Sequence, residues 1–77
     1  MEMKLCCVKK NRSYKILNIL IYDEATLNLI NDLGLYIGNY VMVLSYSFFK
    51  RDYLICVNGK RHSIDKSICE KIFVNAL

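Results

Sequence analysis

The chain has 77 residues, of which 55% are hydrophobic and 23% are charged. This length and composition predict one small folded domain, and they argue against intrinsic disorder and against a large enzyme with a second lobe. The formal net charge of +4 permits a basic patch but is too small for a tail that condenses nucleic acid. We therefore expect a single domain over residues 1–77.

The cysteines match no common disulfide or zinc pattern. Cys6 and Cys7 are adjacent, Cys56 and Cys69 stand apart, and no C-x-x-C motif occurs. The first eight residues carry charges and lead into a basic segment instead of the apolar core of a signal peptide. The densest apolar run, residues 16–22, is too short to span a membrane. The sequence thus predicts a reduced, cytoplasmic domain without direct membrane insertion.

The first half of the chain predicts an extended segment at residues 5–8, a strand at 14–22 and a helix at 25–33. The strand has Ile16, Asn18 and Leu20 on one face and Leu17, Ile19 and Ile21 on the other. The helix repeats apolar residues at i, i+3 and i+6, namely Leu27, Ile30 and Leu33. Asp23 is placed to cap its first turn, and Gly34 is placed for the left-handed residue that ends it.

The second half predicts short strands separated by turns. Asn58-Gly59 is the strongest hairpin signal, because a type I′ turn requires a positive φ at both central positions. In chain order we expect a loop at 35–38, a strand at 39–46, a hairpin tip at 48–52, strands at 53–57 and 61–64, a helical turn at 65–67 and a strand at 71–74. This order favours a mainly β fold, a small and strongly bent antiparallel barrel with one short helix.

The segment LNLINDLGLYIG at residues 27–38, followed by the alternating Val41 and Val43, resembles the core signature of the ferrous iron transport protein A (FeoA) family. In that family a helix ends in Asp-Leu-Gly-Leu, and two loop residues, a glycine and an alternating strand follow. The matching positions here, with the glycine of the later turn, are Asp32, Leu33, Gly34, Leu35, Gly38 and Gly59.

The resemblance implies an SH3-like barrel that assists a bacterial ferrous iron uptake system. Such a domain is a non-catalytic module that contacts the cytoplasmic, GTPase-bearing part of the membrane transporter. The same fold also occurs as an appended domain of metal-dependent transcriptional repressors, which is the alternative function. Three places differ from the family pattern: Leu29 stands where the family commonly has Arg, Ile37 where it commonly has Pro, and Lys10 and Asn11 where its loop often has Gly. The Leu29 difference weakens any transfer of an ionic docking role to that position.

No set of residues in the sequence indicates catalysis, and we predict neither a cofactor nor a structural metal ion. His62 is the single histidine, and no H-E-x-x-H or G-x-S-x-G motif surrounds it. If residues 5–8 are extended, Cys6 and Cys7 point to opposite faces, which makes a shared metal ion or an unstrained disulfide difficult. We expect Cys56 and Cys69 to pack as small core residues.

Surplus apolar surface is the feature that points to a partner. Val41 and Val43 fill the barrel in the predicted strand at 39–46, so the opposite face carries Tyr40, Met42, Leu44 and Tyr46, either under the helix or exposed as an interface. The aromatic hairpin tip is expected to dock or to fold back over the barrel. The predicted partner-binding residues are Tyr40, Met42, Phe48, Phe49, Lys50 and Arg51.

The same apolar and basic residues are compatible with two other partners. Self-association through the hairpin is an alternative to docking on a transporter. Basic loop residues beside aromatic ones would also suit a small nucleic-acid-binding barrel. With a net charge of only +4, a solubilising role for these lysines and arginines is the simpler interpretation, so nucleic acid is not the expected partner.

Overall fold

A computed structural model of the chain describes residues 1–47, 49 and 51–75. Strands make up most of the regular structure in these residues, in agreement with the predicted mainly β fold. The elements are β1 (Glu2–Lys4), a 3₁₀ turn (Leu5–Cys7), β2 (Ser13–Ile19), α1 (Glu24–Leu33), β3 (Tyr40–Tyr46), β4 (Asp52–Val57), β5 (Lys60–Asp65), α2 (Lys66–Cys69) and β6 (Ile72–Asn75).

The six strands form one antiparallel sheet in the order β1-β6-β2-β3-β4-β5. The inner face of this curved sheet carries the core, which is entirely apolar among the described residues. The prediction of an extended segment at residues 5–8 is wrong. The strand lies earlier, at Glu2–Lys4, and Leu5 then turns its side chain fully into the core, which starts the 3₁₀ turn.

A bulge in β2 changes which of its residues face the core. Tyr14 and Ile16 point inward and are buried, but the pairing with β6 shifts register between Ile16 and Asn18. After the shift Ile19 packs against the core while Leu20 is exposed. The predicted alternation, which placed Ile16 and Leu20 on one face, therefore fails because one extra residue is inserted into the strand.

The predicted ends of α1 are confirmed. The Asp23 carboxylate accepts a hydrogen bond from the Thr26 N–H at 2.9 Å, and Gly34 has a φ of 102°. The Gly34 N–H donates to the Asn31 carbonyl, and the Leu35 N–H donates to the Ile30 carbonyl. These bonds satisfy the last carbonyls of the helix, as a left-handed C-terminal residue allows.

A glycine and two asparagines join the end of α1 to the turn between β4 and β5. The Asn39 side-chain amide donates to the Gly34 carbonyl at 2.7 Å and to the Asn58 side-chain oxygen at 3.2 Å. Asn58 and Gly59 have φ values of 53° and 77°, so the predicted positive-φ turn is confirmed. The Asp-Leu-Gly-Leu signature thus ends the helix directly against this turn, with Leu35 buried in the core.

Candidate protein-interaction surface

The outward side of strands β3 and β4 carries a strip of apolar side chains. The inward residues of β4 are buried, so Leu54 and Cys56 point outward, and Met42 pairs directly with Cys56. Tyr40 and Leu44 flank Met42 on the same side of β3. We call this strip the outer β3–β4 face; its residues are Tyr40, Met42, Leu44, Leu54 and Cys56.

The outer β3–β4 face is open to solvent at one end and partly open along its length. Tyr40 is 55% exposed, and the other four residues are half-buried. Helix α1 does not shield this face from solvent, because its residues Leu29, Ile30 and Leu33 line a cleft with β5 and α2 instead. Of the two alternatives weighed from the sequence, partial exposure is therefore the one that the structure shows at Tyr40.

Cationic side chains border this face on both sides. Lys15 of β2 pairs in register with Tyr40, and Arg61 of β5 pairs with Cys56, so both side chains point outward beside the apolar strip. Both are exposed. Ser13 and Ser63, the cross-strand partners of Met42 and Leu54, complete the border with small polar groups. The arrangement is an apolar strip with a basic rim, which suits a partner surface that is apolar and acidic.

Tyr46 does not belong to the outer β3–β4 face, contrary to the sequence prediction. The pairing of β3 with β4 shifts register between Val43 and Ser45, so Tyr46 pairs with the inward-facing Tyr53. Their ring centroids lie 5.6 Å apart, and the Lys10 ammonium lies 4.6 Å from the centroid of the Tyr46 ring. Tyr46 therefore lies beside Tyr53, with 38% of its surface exposed, instead of extending the strip.

Ser47 follows the last residue of β3 and contacts the chain just before and at the start of β4. The Ser47 hydroxyl accepts hydrogen bonds from the Arg51 and Asp52 N–H groups at 3.0 and 3.2 Å, which closes the loop. At the tip Phe49 is 75% exposed and Arg51 is exposed. Of the partner-binding residues predicted from the sequence, Phe48 and Lys50 lie outside the described residues.

The predicted partner-binding residues do not form one compact site. Tyr40 lies at the start of β3 and the hairpin tip follows its end, a separation of roughly 20 Å along an extended strand. Tyr40 and Met42 share the outer β3–β4 face, whereas Phe49 and Arg51 lie beyond its far end. A partner would have to extend along the whole hairpin to contact both groups.

A cleft of about 370 Å³ separates α1 from β5 and α2. Leu29, which is 57% exposed, stands at its rim, and His62 lines it together with Ile64 of the same strand. Sequence reasoning missed this cleft, although Leu29 and Leu33 lie four residues apart on one face of the helix and so widen its apolar stripe. The single histidine thus shares the cleft with apolar side chains and with Ser63 and Asp65, on the edge strand β5 of the sheet.

The cysteines differ in two respects from what the sequence predicted. The sulfur atoms of Cys6 and Cys7 lie 3.8 Å apart instead of on opposite faces, because these residues form a 3₁₀ turn and not a strand. Cys56 is half-buried on the outer β3–β4 face and is not a core residue. Cys69 does pack in the core as expected, and burial raises the pKa of its thiol to about 12. All four thiols are free.

Within the described residues, no group of three or more His, Cys, Asp or Glu side chains is arranged to hold a metal ion. Among the same residues, no helix has the length and apolar character needed to cross a membrane. The main feature of the described surface is thus an apolar area, bordered by charged side chains, that a binding partner could cover.

Comparison with known proteins decides the family. The sequence matches the FeoA domain over residues 3–76. The chain belongs to the FeoA family. It is similar to a crystal structure of iron uptake regulatory protein (FeoA), with 26% identity, a TM-score of 0.82, and coverage of 100% of this chain and 99% of that one. It is also similar to the FeoA protein from Chlorobium tepidum, with 24% identity, a TM-score of 0.85, and coverage of 97% and 70%.

The same fold is found in a manganese-dependent transcriptional repressor, which matches with a TM-score of 0.85 at 14% identity over 99% of this chain and 42% of that one. No curated protein matches the sequence significantly. The expected SH3-like barrel is thus confirmed as the fold. Membership of the FeoA family supports a role in ferrous iron uptake as a small accessory domain.

Proposed function

We propose that this FeoA-family chain is a non-catalytic interaction module that binds the cytoplasmic, GTPase-bearing part of a membrane ferrous iron transporter. The observation that carries this proposal is the family match over residues 3–76. Its partner in such a system is a protein, because the described residues offer an apolar surface with basic borders.

The outer β3–β4 face is the docking surface in this proposal. Met42 and Leu54 lie at its centre between exposed cations on both sides, so a partner that covers them removes apolar area from water while its acidic groups approach Lys15 and Arg61. Buried central side chains supply most of the binding energy in such interfaces, and rim charges mainly raise the association rate. Phe49 and Arg51 at the hairpin tip would extend the contact toward the loop.

The test is a binding titration between the purified chain and the purified cytoplasmic GTPase region of the transporter from the same organism. Met42→Glu places a carboxylate at the centre of the outer β3–β4 face, and we expect it to weaken binding ~10-fold or more. Leu29→Glu, at the rim of the cleft between α1 and β5 and outside the outer β3–β4 face, is the matched control and should bind like the wild type. Absence of binding by the wild type would contradict the proposed function.

A further variant separates the two parts of the proposed contact. Phe49→Ser removes an exposed ring from the hairpin tip without disturbing the core. Weaker binding by this variant at unchanged melting temperature would place the hairpin tip in the interface. Unchanged binding would restrict the interface to the outer β3–β4 face.

A second function, association with a metal-dependent repressor, is favoured by one observation, the match to the manganese-dependent repressor at a TM-score of 0.85. At 14% identity this match concerns the fold alone. Capture of a DNA-binding repressor by the chain, with no affinity for the transporter region, would favour this second function over the first.

A further inference from the structure

The thiols of Cys6 and Cys7 lie side by side at the surface. Their sulfur atoms are 3.8 Å apart, Cys7 is exposed and Cys6 is half-buried. Two thiolates on one tetrahedral zinc ion, each about 2.3 Å from the metal, are also about 3.8 Å apart. The separation of the two sulfur atoms therefore equals one edge of a tetrahedral thiolate site, and a solvent ion has access to both.

The turn that carries these thiols is fixed by its neighbours. Leu5 anchors it in the core, and the strand before it, Glu2–Lys4, pairs with β6. The Tyr53 hydroxyl lies 3.5 Å from the Cys6 carbonyl, to which it donates, and α2 packs against the turn. These contacts fix the backbone of the turn, so the two thiols are already close together before a ligand binds. Binding therefore requires no rearrangement of the backbone.

We propose that Cys6 and Cys7 form an open, two-thiolate site for one thiophilic cation of the Zn²⁺ and Cd²⁺ class. The cation forms two metal–sulfur bonds, the two thiol protons pass to solvent, and no electron is transferred. Desolvation by burial raises the pKa of the Cys6 thiol, and Cys7 and the negative charge of Glu70 raise it further, so the cation has to displace this proton as it binds. The remaining coordination positions stay with water or an added ligand, since the described residues provide no third protein ligand.

Cys69 is close to this pair but is not part of the site. Its side chain is fully buried, so an ion from solvent has no access to its sulfur atom. Cys56 lies on the outer β3–β4 face, on a different strand and away from the turn. It is the natural control, because it is a half-buried thiol without a neighbouring cysteine in sequence.

The experiment is a titration of the reduced, metal-free protein with Cd²⁺, followed by the sulfur-to-cadmium charge-transfer absorption in the ultraviolet. We expect saturation at one ion per chain, loss of the band in Cys7→Ser and in the double variant Cys6→Ser/Cys7→Ser, and an unchanged band in Cys56→Ser. Circular dichroism of each variant confirms folding, and Cys7→Ser is the safer variant because its side chain is exposed.

Three results would overturn the proposal. The first is a band that persists in the folded Cys7→Ser variant, and the second is an equal loss in Cys56→Ser. The third is saturation at one ion per two chains, which would mean that the thiols serve a bridge between copies and not a site within one chain.

Discussion

Tyr46 and Tyr53, cross-strand partners on β3 and β4, lie with their ring centroids 5.6 Å apart and their planes tilted by 46°. This contact exists because a register shift between Val43 and Ser45 turns Tyr46 away from the outer β3–β4 face. The Lys10 ammonium, 4.6 Å from the centroid of the Tyr46 ring, adds a cation–π contact. The bulge thus decides which aromatic side chain of β3 packs on Tyr53 and which stays on the outer β3–β4 face.

Replacing Tyr46 tests this division. We expect Tyr46→Ser to reduce the free energy of unfolding by about 1 kcal/mol more than Tyr40→Ser, because only the first loses an aromatic pair and a cation–π contact. Chemical denaturation of both variants measures the difference. Tyr40→Ser should in turn weaken partner binding more than Tyr46→Ser. Equal stabilities would show that the ring pair contributes nothing to the fold.

Gly34 and Gly38 offer a matched test of the signature segment. Both have positive φ, 102° and 98°, but a Cβ at Gly34 would lie 2.7 Å from the Val57 side chain, whereas one at Gly38 meets no atom within 4 Å. We expect Gly38→Ala to cost about 1 kcal/mol for backbone strain and Gly34→Ala about 2 kcal/mol or more. Thermal or urea unfolding gives both values. Similar losses at the two positions would argue against close packing of α1 on Val57.

Stability should fall in acid because two helix-capping carboxylates are charged in the folded state. Hydrogen bonds from Thr26 lower the pKa of Asp23, and hydrogen bonds from Ser67 and from the Ile68 N–H lower the pKa of Asp65. A lowered folded pKa stabilises the fold above the unfolded value of about 3.9, and this contribution is lost as the pH falls through the folded values.

The variant Asp23→Asn/Asp65→Asn keeps both caps, since asparagine accepts the same hydrogen bonds, but removes both titrations. Its free energy of unfolding should therefore depend less on pH between about 5 and 3 than that of the wild type. Unfolding by urea at a series of pH values measures the two slopes. Parallel slopes would mean that other groups cause the acid sensitivity.

Removal of metal ions should leave the fold intact. The core is apolar among the described residues, and no group of three or more ligands there could form a closed structural site. A chelator in excess is therefore expected to leave the melting temperature unchanged, and a structural metal would instead couple its loss to unfolding. We expect the fold to be the same whether or not a cation is bound to the thiols of Cys6 and Cys7.

Local signals in the sequence predicted the parts of the fold that depend on backbone conformation. Asp23, Gly34 and Asn58-Gly59 each stand where a cap or a positive φ is required, and each is found there. The outward faces were predicted less well, because strict alternation along a strand holds only until a bulge inserts an extra residue. After the bulge in β2, Leu20 is exposed although Ile16, predicted to share its face, is buried. After the bulge in β3, Tyr46 lies beside the inward-facing Tyr53 instead of on the outer β3–β4 face.

The sites that depend on packing between distant elements could not be predicted. The cleft beside Leu29 forms only where α1 meets β5 and α2, which no local pattern specifies. The pairing of the Cys6 and Cys7 thiols follows from a 3₁₀ turn that Leu5 starts by entering the core. Tyr40 and Met42 lie on one face as predicted. They are far from the hairpin tip because the length of β3 separates them from it.

The most direct test of the docking claim is a map of the contact surface by NMR. The ¹⁵N-labelled chain is titrated with the unlabelled cytoplasmic GTPase region of the transporter. We predict that the largest amide shift changes fall on Met42, Leu44, Leu54 and Arg61, while those of Leu29 and Leu33 stay unchanged. Shift changes confined to the cleft residues, or none at saturating partner, would contradict the proposal that the outer β3–β4 face binds the transporter.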